Sequence, residues 1–227
     1  MTARAHERSQ GRRHRSAGQG GFTLLEVIIV LSVMAALAGT IVPLVSASKR
    51  AEGIDAARAE LEAIANALSA HYYELGTFPS RLDQAGFYGV YALPGVGDAR
   101  LRDEWGARNL YRVVLTRNPD TATVYSVGDN GRDDGAAAET IKVTVYGARP
   151  GGERTRERMN VISAALARHI RAGGTITGVW NTDRAALGLG AAYARDAFGT
   201  AFRLNAALLL RSAGPDRRFG NADDLTL

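Results

Sequence analysis

The stretch GQGGFTLLEVIIVLSVMAALAGTIVPLV, residues 18–45, carries one charged side chain, Glu26. The rest of residues 22–45 is uncharged and mostly aliphatic. At about 1.5 Å per residue, that run makes roughly 36 Å of helix, enough to span a bilayer. An ionisable group inside such a span costs on the order of 2.5 kcal/mol or more unless it finds a partner. Glu26 stands near one end of the run, so its plainest reading is a carboxylate turned back toward the interface.

The flanks give the segment a direction. A cleavable secretory signal puts its small-residue cleavage site after the apolar core, whereas here Gly20 and Gly21 come before it. Arg4, Arg8, Arg12, Arg13 and Arg15 precede the run and hold the N-terminus on the cytoplasmic side, leaving everything after Lys49 outside. These arginines also account for most of the chain's charge. The total is +5, of which residues 1–21 carry +4, so the remainder is close to balanced. Net charge therefore makes no case for nucleic-acid binding once the leader is set aside. With 227 residues, 46% hydrophobic and 22% charged, the chain has the composition of a folded protein. It has no cysteine, so the exported portion holds together without disulfides.

Gly21-Phe22-Thr23-Leu24-Leu25-Glu26-Val27 resembles the N-terminal processing motif of type IV prepilins and type II secretion pseudopilins. The resemblance implies that a membrane peptidase cuts after Gly21 and methylates Phe22, so that the apolar segment stays in the mature chain. It also implies a partner for Glu26, the N-terminal amine of a neighbouring subunit in a helical fibre. A buried carboxylate and a buried ammonium on adjacent helices neutralise one another in only one axial register, which turns a costly charge into an assembly signal. Pro43 falls where this family commonly has a helix-loosening proline.

Beyond the membrane segment, Ile54, Leu61, Ile64, Leu68, Tyr72 and Leu75 recur at helical steps, with Glu52, Asp55, Arg58, Glu60 and Glu62 mainly on the other face. The spacing predicts one long helix reaching about Glu74 and stopping at Gly76-Thr77-Phe78-Pro79. Residues 111–115, 121–127 and 141–146 read as strands, with Asn118-Pro119-Asp120 as the turn between the first two.

The pattern then begins again. Ile64, Ala67, Leu68, His71, Gly76 and Thr77 recur 98 residues later as Ile162, Ala165, Leu166, His169, Gly174 and Thr175. Asp103, Trp105 and Gly106 recur as Asp196, Phe198 and Gly199, and Ser126 and Gly128 as Ser212 and Gly214. This ordered series reads as a tandem duplication of the soluble unit, with Arg149-Pro150-Gly151-Gly152 as the linker. His71 and His169 read as structural, because no cysteine or second histidine stands near them in sequence.

Two acidic loops carry the sharpest chemical pattern. Residues 126–135 include Ser126, Asp129, Asn130, Asp133 and Asp134, and residues 212–224 include Ser212, Asp216, Asn221, Asp223 and Asp224. Clustered carboxylates among glycines supply the hard oxygens that calcium takes, though neither loop has the EF-hand spacing. Solvated turns use the same residues. The D-x-W-G and Ser-x-Gly pattern resembles the C-terminal half of the major pseudopilin of type II secretion systems, which implies a calcium-binding loop after the serine–glycine pair. By position the implied ligands are Asp216, Asp223 and Asp224 with Ser212 or nearby carbonyls in the second loop, and Asp129, Asp133 and Asp134 in the first.

The expected fold is α+β and pilin-like. A long N-terminal hydrophobic helix packs on a small antiparallel sheet, and a second, smaller α+β repeat without its own membrane helix follows. The expected divisions are a leader over residues 1–21, a transmembrane and assembly helix over 22–48, and soluble domains over 49–148 and 149–227. The expected function is a fibre-forming pseudopilin, acted on by prepilin peptidase and assembled with other pilin-like subunits at an inner-membrane platform. It is a single-pass protein whose domains lie in the periplasm, with no catalytic constellation of its own. A minor or tip pilin is the alternative. So is a membrane-tethered binding module, whose second half would use Arg168, Arg171, Arg195, Arg203, Arg211, Arg217 and Arg218 on an anionic ligand.

Overall fold

In a computed structural model the described residues are 23–92, 101, 102, 105, 111–128, 130–205 and 207–227. Gly21, Phe22, Asp103, Gly106 and Asp129 lie outside them. The chain divides into two compact units, Met1–Ser48 and Lys49–Leu227.

Helix α1 (Leu24–Leu75) has 52 residues and Pro43 inside it, which removes one bond from the helical ladder. Its first portion is long and apolar enough to cross a membrane, and side chains such as Leu24, Met34 and Leu44 are exposed. Thr23 Oγ1 accepts the backbone N–H of Glu26 at 3.2 Å, so the helix begins on a side-chain cap.

In the unit Lys49–Leu227, α1 changes character. Ala57, Leu61, Ile64, Ala67 and Leu68 form its buried stripe. They pack with Tyr111, Ala122, Val124, Ile141 and Val145 in one hydrophobic cluster. Strands β1 (Arg112–Thr116), β2 (Thr121–Tyr125) and β3 (Lys142–Tyr146) form an antiparallel sheet in that order. Val124 faces both Val113 and Val143 in register. The three strands lie where the β-branched and aromatic runs put them, shifted or trimmed by a residue or two. α1 ends at Gly76, which adopts φ +73 and donates to the Tyr72 carbonyl at 2.7 Å. A side chain there would also meet the Ala197 carbonyl, so this glycine answers to two demands.

The predicted linker Arg149-Pro150-Gly151-Gly152 is instead the first turn of helix α2 (Ala148–Arg171), and Pro150, Gly151 and Gly152 are buried. Proline is at home in a first helical turn, where its missing N–H has no partner to lose. Gly151 is there for space. An added Cβ would stand 2.5 Å from Phe198 and 3.1 Å from Tyr72.

Helix α3 (Trp180–Ala186), a 3₁₀ turn (Ala191–Tyr193) and strands β4 (Arg203–Leu204), β5 (Leu210–Ser212) and β6 (Leu225–Thr226) complete the chain. The strands form a second antiparallel sheet, again in chain order. Met159, Ile162 and Leu166 of α2 pack with Trp180, Phe202, Leu204 and Leu210 as a second hydrophobic cluster. The unit Lys49–Leu227 thus holds two helix-on-sheet cores.

Candidate functional site

The two acidic loops leave the central strands of the two sheets by the same turn. After β2, Ser126 is fully buried and its Oγ accepts the N–H of Gly128 at 2.9 Å, with Gly128 at φ +67. After β5, Ser212 is fully buried and its Oγ accepts the N–H of Gly214 at 3.2 Å, with Gly214 at φ +66. Glycine suits both positions because a side chain disfavours left-handed backbone.

Past that turn the loops differ. In the first, Asp133 accepts from the Tyr125 hydroxyl at 3.0 Å and from the Gly135 N–H at 3.1 Å, and it stands 3.5 Å from Arg112 Nε. Burial first, and then this bond to Asp133, push the Tyr125 hydroxyl above its ordinary pKa. The Asp134 N–H donates to Glu139. Asp133 is therefore committed to protein donors, and Asp129 lies outside the described residues.

In the second loop Asp216 accepts the Arg218 N–H at 2.7 Å and the Asn221 side-chain amide at 2.5 Å. Asp223 accepts the Asp216 N–H at 3.1 Å, which joins the two ends of the loop. Asp224 accepts the Gly220 N–H at 2.9 Å, and its Oδ2 stands 3.7 Å from Arg211. The Asp224 side chain is only 4% exposed, yet its Oδ1 has no hydrogen-bond partner. A buried carboxylate oxygen without a donor is costly, and a hard cation would remove that cost. Among the described residues no three His, Cys, Asp or Glu side chains converge into a ready ligand set. A cation here would rest on Asp224 and on carbonyls that the loop's glycines can turn inward. Ser212 Oγ donates to buried Asp196 at 2.7 Å, so its hydroxyl is already engaged and a cation could use only its backbone.

Asp196 opens the Asp-Ala-Phe-Gly segment and has a structural task. Its Oδ1 accepts the N–H groups of Phe198 and Thr200 at 3.0 and 2.8 Å. Burial raises its pKa, and these bonds and the one from Ser212 oppose the rise. His71 and His169 make matching contacts as well. His71 Nδ1 donates to the Thr77 carbonyl at 2.8 Å, and His169 Nε2 donates to the Thr175 carbonyl at 3.2 Å. His71 is buried edge-on against Phe87 and Tyr91, where it acts as a packing and turn-closing group.

At the start of α1, Thr23 and Glu26 stand as cap and third helical residue, the S/T-x-x-E spacing of a capping box. A reading centred on the charge of Glu26 misses Thr23, although the spacing that signals it stands in the sequence. A carboxylate in the first turn is also favoured by the helix dipole.

Comparison with known proteins bears first on this end of the chain. Residues 16–42 match the family described as prokaryotic N-terminal methylation motif. Type II secretion system core protein G of Xanthomonas campestris pv. campestris is 28% identical over 142 residues, which is 95% of that protein and 59% of this chain. The protein of the same name from Pseudomonas aeruginosa is 28% identical over 130 residues, 89% of its length and 52% of this chain. The chain is pseudopilin-like. No solved structure matches it. The pseudopilin-like chain also carries more residues than these relatives align with, for nearly all of their length is matched by little more than half of its own.

Proposed function

We propose that the chain is a fibre-forming pseudopilin subunit of a type II secretion system. Prepilin peptidase would cleave it after Gly21 and methylate Phe22. The span within α1 would hold it in the inner membrane with both soluble cores in the periplasm, until the assembly platform draws it into a filament of pilin-like subunits. The observation that carries this reading is the continuity of α1. One helix begins at the processing motif, runs through an apolar span and becomes the buried spine of a three-stranded sheet. Glu26 would cap its own helix in the monomer and meet a neighbour's terminal amine in the fibre.

The second core supports a duplicated soluble unit. The histidine-to-carbonyl bonds and the Ser-x-Gly turns occur in both halves at matching positions. A larger exposed portion also favours a second reading, a minor or tip subunit, because bulk is easier to house at a filament end. Calcium would bind the second acidic loop through Asp224, with Asp216 and Asp223 in support. The first loop, whose Asp133 is satisfied by Tyr125 and Arg112, would remain a plain turn. Binding of nucleic acid has no support beyond scattered arginines, several of which are engaged elsewhere.

The test is expression with and without prepilin peptidase, combined with cross-linking. The chain should lose residues 1–21 only when the peptidase is present. Glu26→Ala should mature normally yet fail to cross-link to neighbours. Normal assembly of that variant would contradict the role given to Glu26.

A further inference from the structure

The candidate cation loop also holds the two halves of the soluble unit together, and it does so through one side chain. Arg217 stands directly after Asp216 and adopts φ +62, a left-handed conformation that a non-glycine residue rarely takes. Its guanidinium leaves its own loop entirely. Nε donates to the Phe198 carbonyl at 2.8 Å, Nη2 to Asp120 Oδ2 at 2.6 Å, and Nη1 to Asn118 Oδ1. Asn118 and Asp120 form the β1–β2 turn, which belongs to the first core. Asp120 Oδ2 also accepts the hydroxyl of Tyr72, a fully buried residue of α1, at 2.8 Å. The Asp120 side chain is only 13% exposed, so this ion pair is well shielded from water.

We propose that Arg217 is a positioning residue that couples cation binding in the second loop to docking of that loop on the first core. This inference rests on the calcium reading above. Asp216 is adjacent in the chain to Arg217, and its N–H holds Asp223, so a change in the backbone conformation of Arg217 moves the group that anchors Asp223. The coupling is reciprocal: a cation that rigidifies residues 216–224 must also strengthen the hold on Asp120, and loss of that hold must weaken the cation. The ligand is a hard divalent cation, and the consequence of loading is a second half locked onto the spine helix.

Two variants separate this from a merely local role. Glycine accepts positive φ freely, so Arg217→Gly would be neutral or stabilising if the arginine only filled its turn. Asp120→Asn leaves the loop untouched and removes the charge Arg217 grips. The full-length chain in detergent micelles, stripped of metal, is titrated with calcium chloride by calorimetry, and amide exchange of residues 117–120 is tracked with and without calcium. The unaltered chain should bind calcium and gain protection at that turn. Both variants should bind at least tenfold more weakly, and the protection should vanish. Equal affinity in both variants, or a turn indifferent to calcium in the unaltered chain, overturns the coupling while leaving the calcium reading intact. No calcium binding by the unaltered chain overturns both, and is recognised because it appears before any variant is compared.

Discussion

Ser126-Val127-Gly128 and Ser212-Ala213-Gly214 are the same turn used twice, yet the loops they open have gone in different chemical directions. After the first, Asp133 has a phenol, an arginine and a backbone amide as donors. After the second, Asp224 is more deeply buried and keeps one oxygen without a donor. Like backbone geometry therefore does not mean like chemistry: the partners brought in from neighbouring strands decide whether an acidic turn is self-sufficient. The second loop has also acquired an outward arm, Arg217, that reaches the other half of the molecule.

The comparison between halves can be broken first at the cores. Ile64 and Ile162 hold corresponding places in the two helices and are both buried. Truncating either to alanine should cost about 3–4 kcal/mol, read as a shift of the urea midpoint. A large penalty at Ile64 with none at Ile162 would mean that the second core is ornamental.

Next come the two glycines. An added Cβ at Gly214 would collide with the Asp223 carbonyl, whereas at Gly128 it meets nothing within 4 Å. Gly128→Ala should cost about 1 kcal/mol for left-handed backbone alone, and Gly214→Ala on the order of 3 kcal/mol. Equal costs, measured by chemical unfolding, would contradict the closer fit assigned to the second loop. A smaller effect is expected at Asp133→Asn, which weakens one exposed ion pair and two hydrogen bonds and should lower stability by about 1 kcal/mol. That substitution should leave calcium affinity unchanged.

The smallest effect concerns pH. Burial raises the pKa of Asp196 above its ordinary value of 3.8, so the folded chain binds that proton more readily than the unfolded chain does. Its contribution is therefore least favourable at neutral pH and becomes more favourable as the pH falls through the folded pKa toward 3.8. A melting curve against pH for Asp196→Asn, set beside that of the unaltered chain, should lack this increment.

Much of the architecture was legible because it is periodic. The apolar steps from Ile54 to Tyr72 mark the spine, the β-branched runs mark the first sheet, and Gly76 marks where the helix stops. Arg149-Pro150-Gly151-Gly152 misled, since proline and glycine punctuate loops but also fit a tightly packed first helical turn, and only the Phe198 and Tyr72 rings reveal which applies. The candidate ligands could be named from the resemblance of the loops to those of pseudopilins, but not their commitments. That Asp133 belongs to Tyr125 and Arg112, or that Arg217 crosses to Asp120, depends on how strands and loops come together in space. No local pattern encodes them.

The most direct measurement is the number of calcium ions bound by the metal-stripped full-length chain in detergent micelles, compared with Asp224→Asn and Asp133→Asn. One ion is predicted, lost with Asp224→Asn and kept with Asp133→Asn. Two ions, none, or one that survives Asp224→Asn would contradict the distinction drawn between the loops.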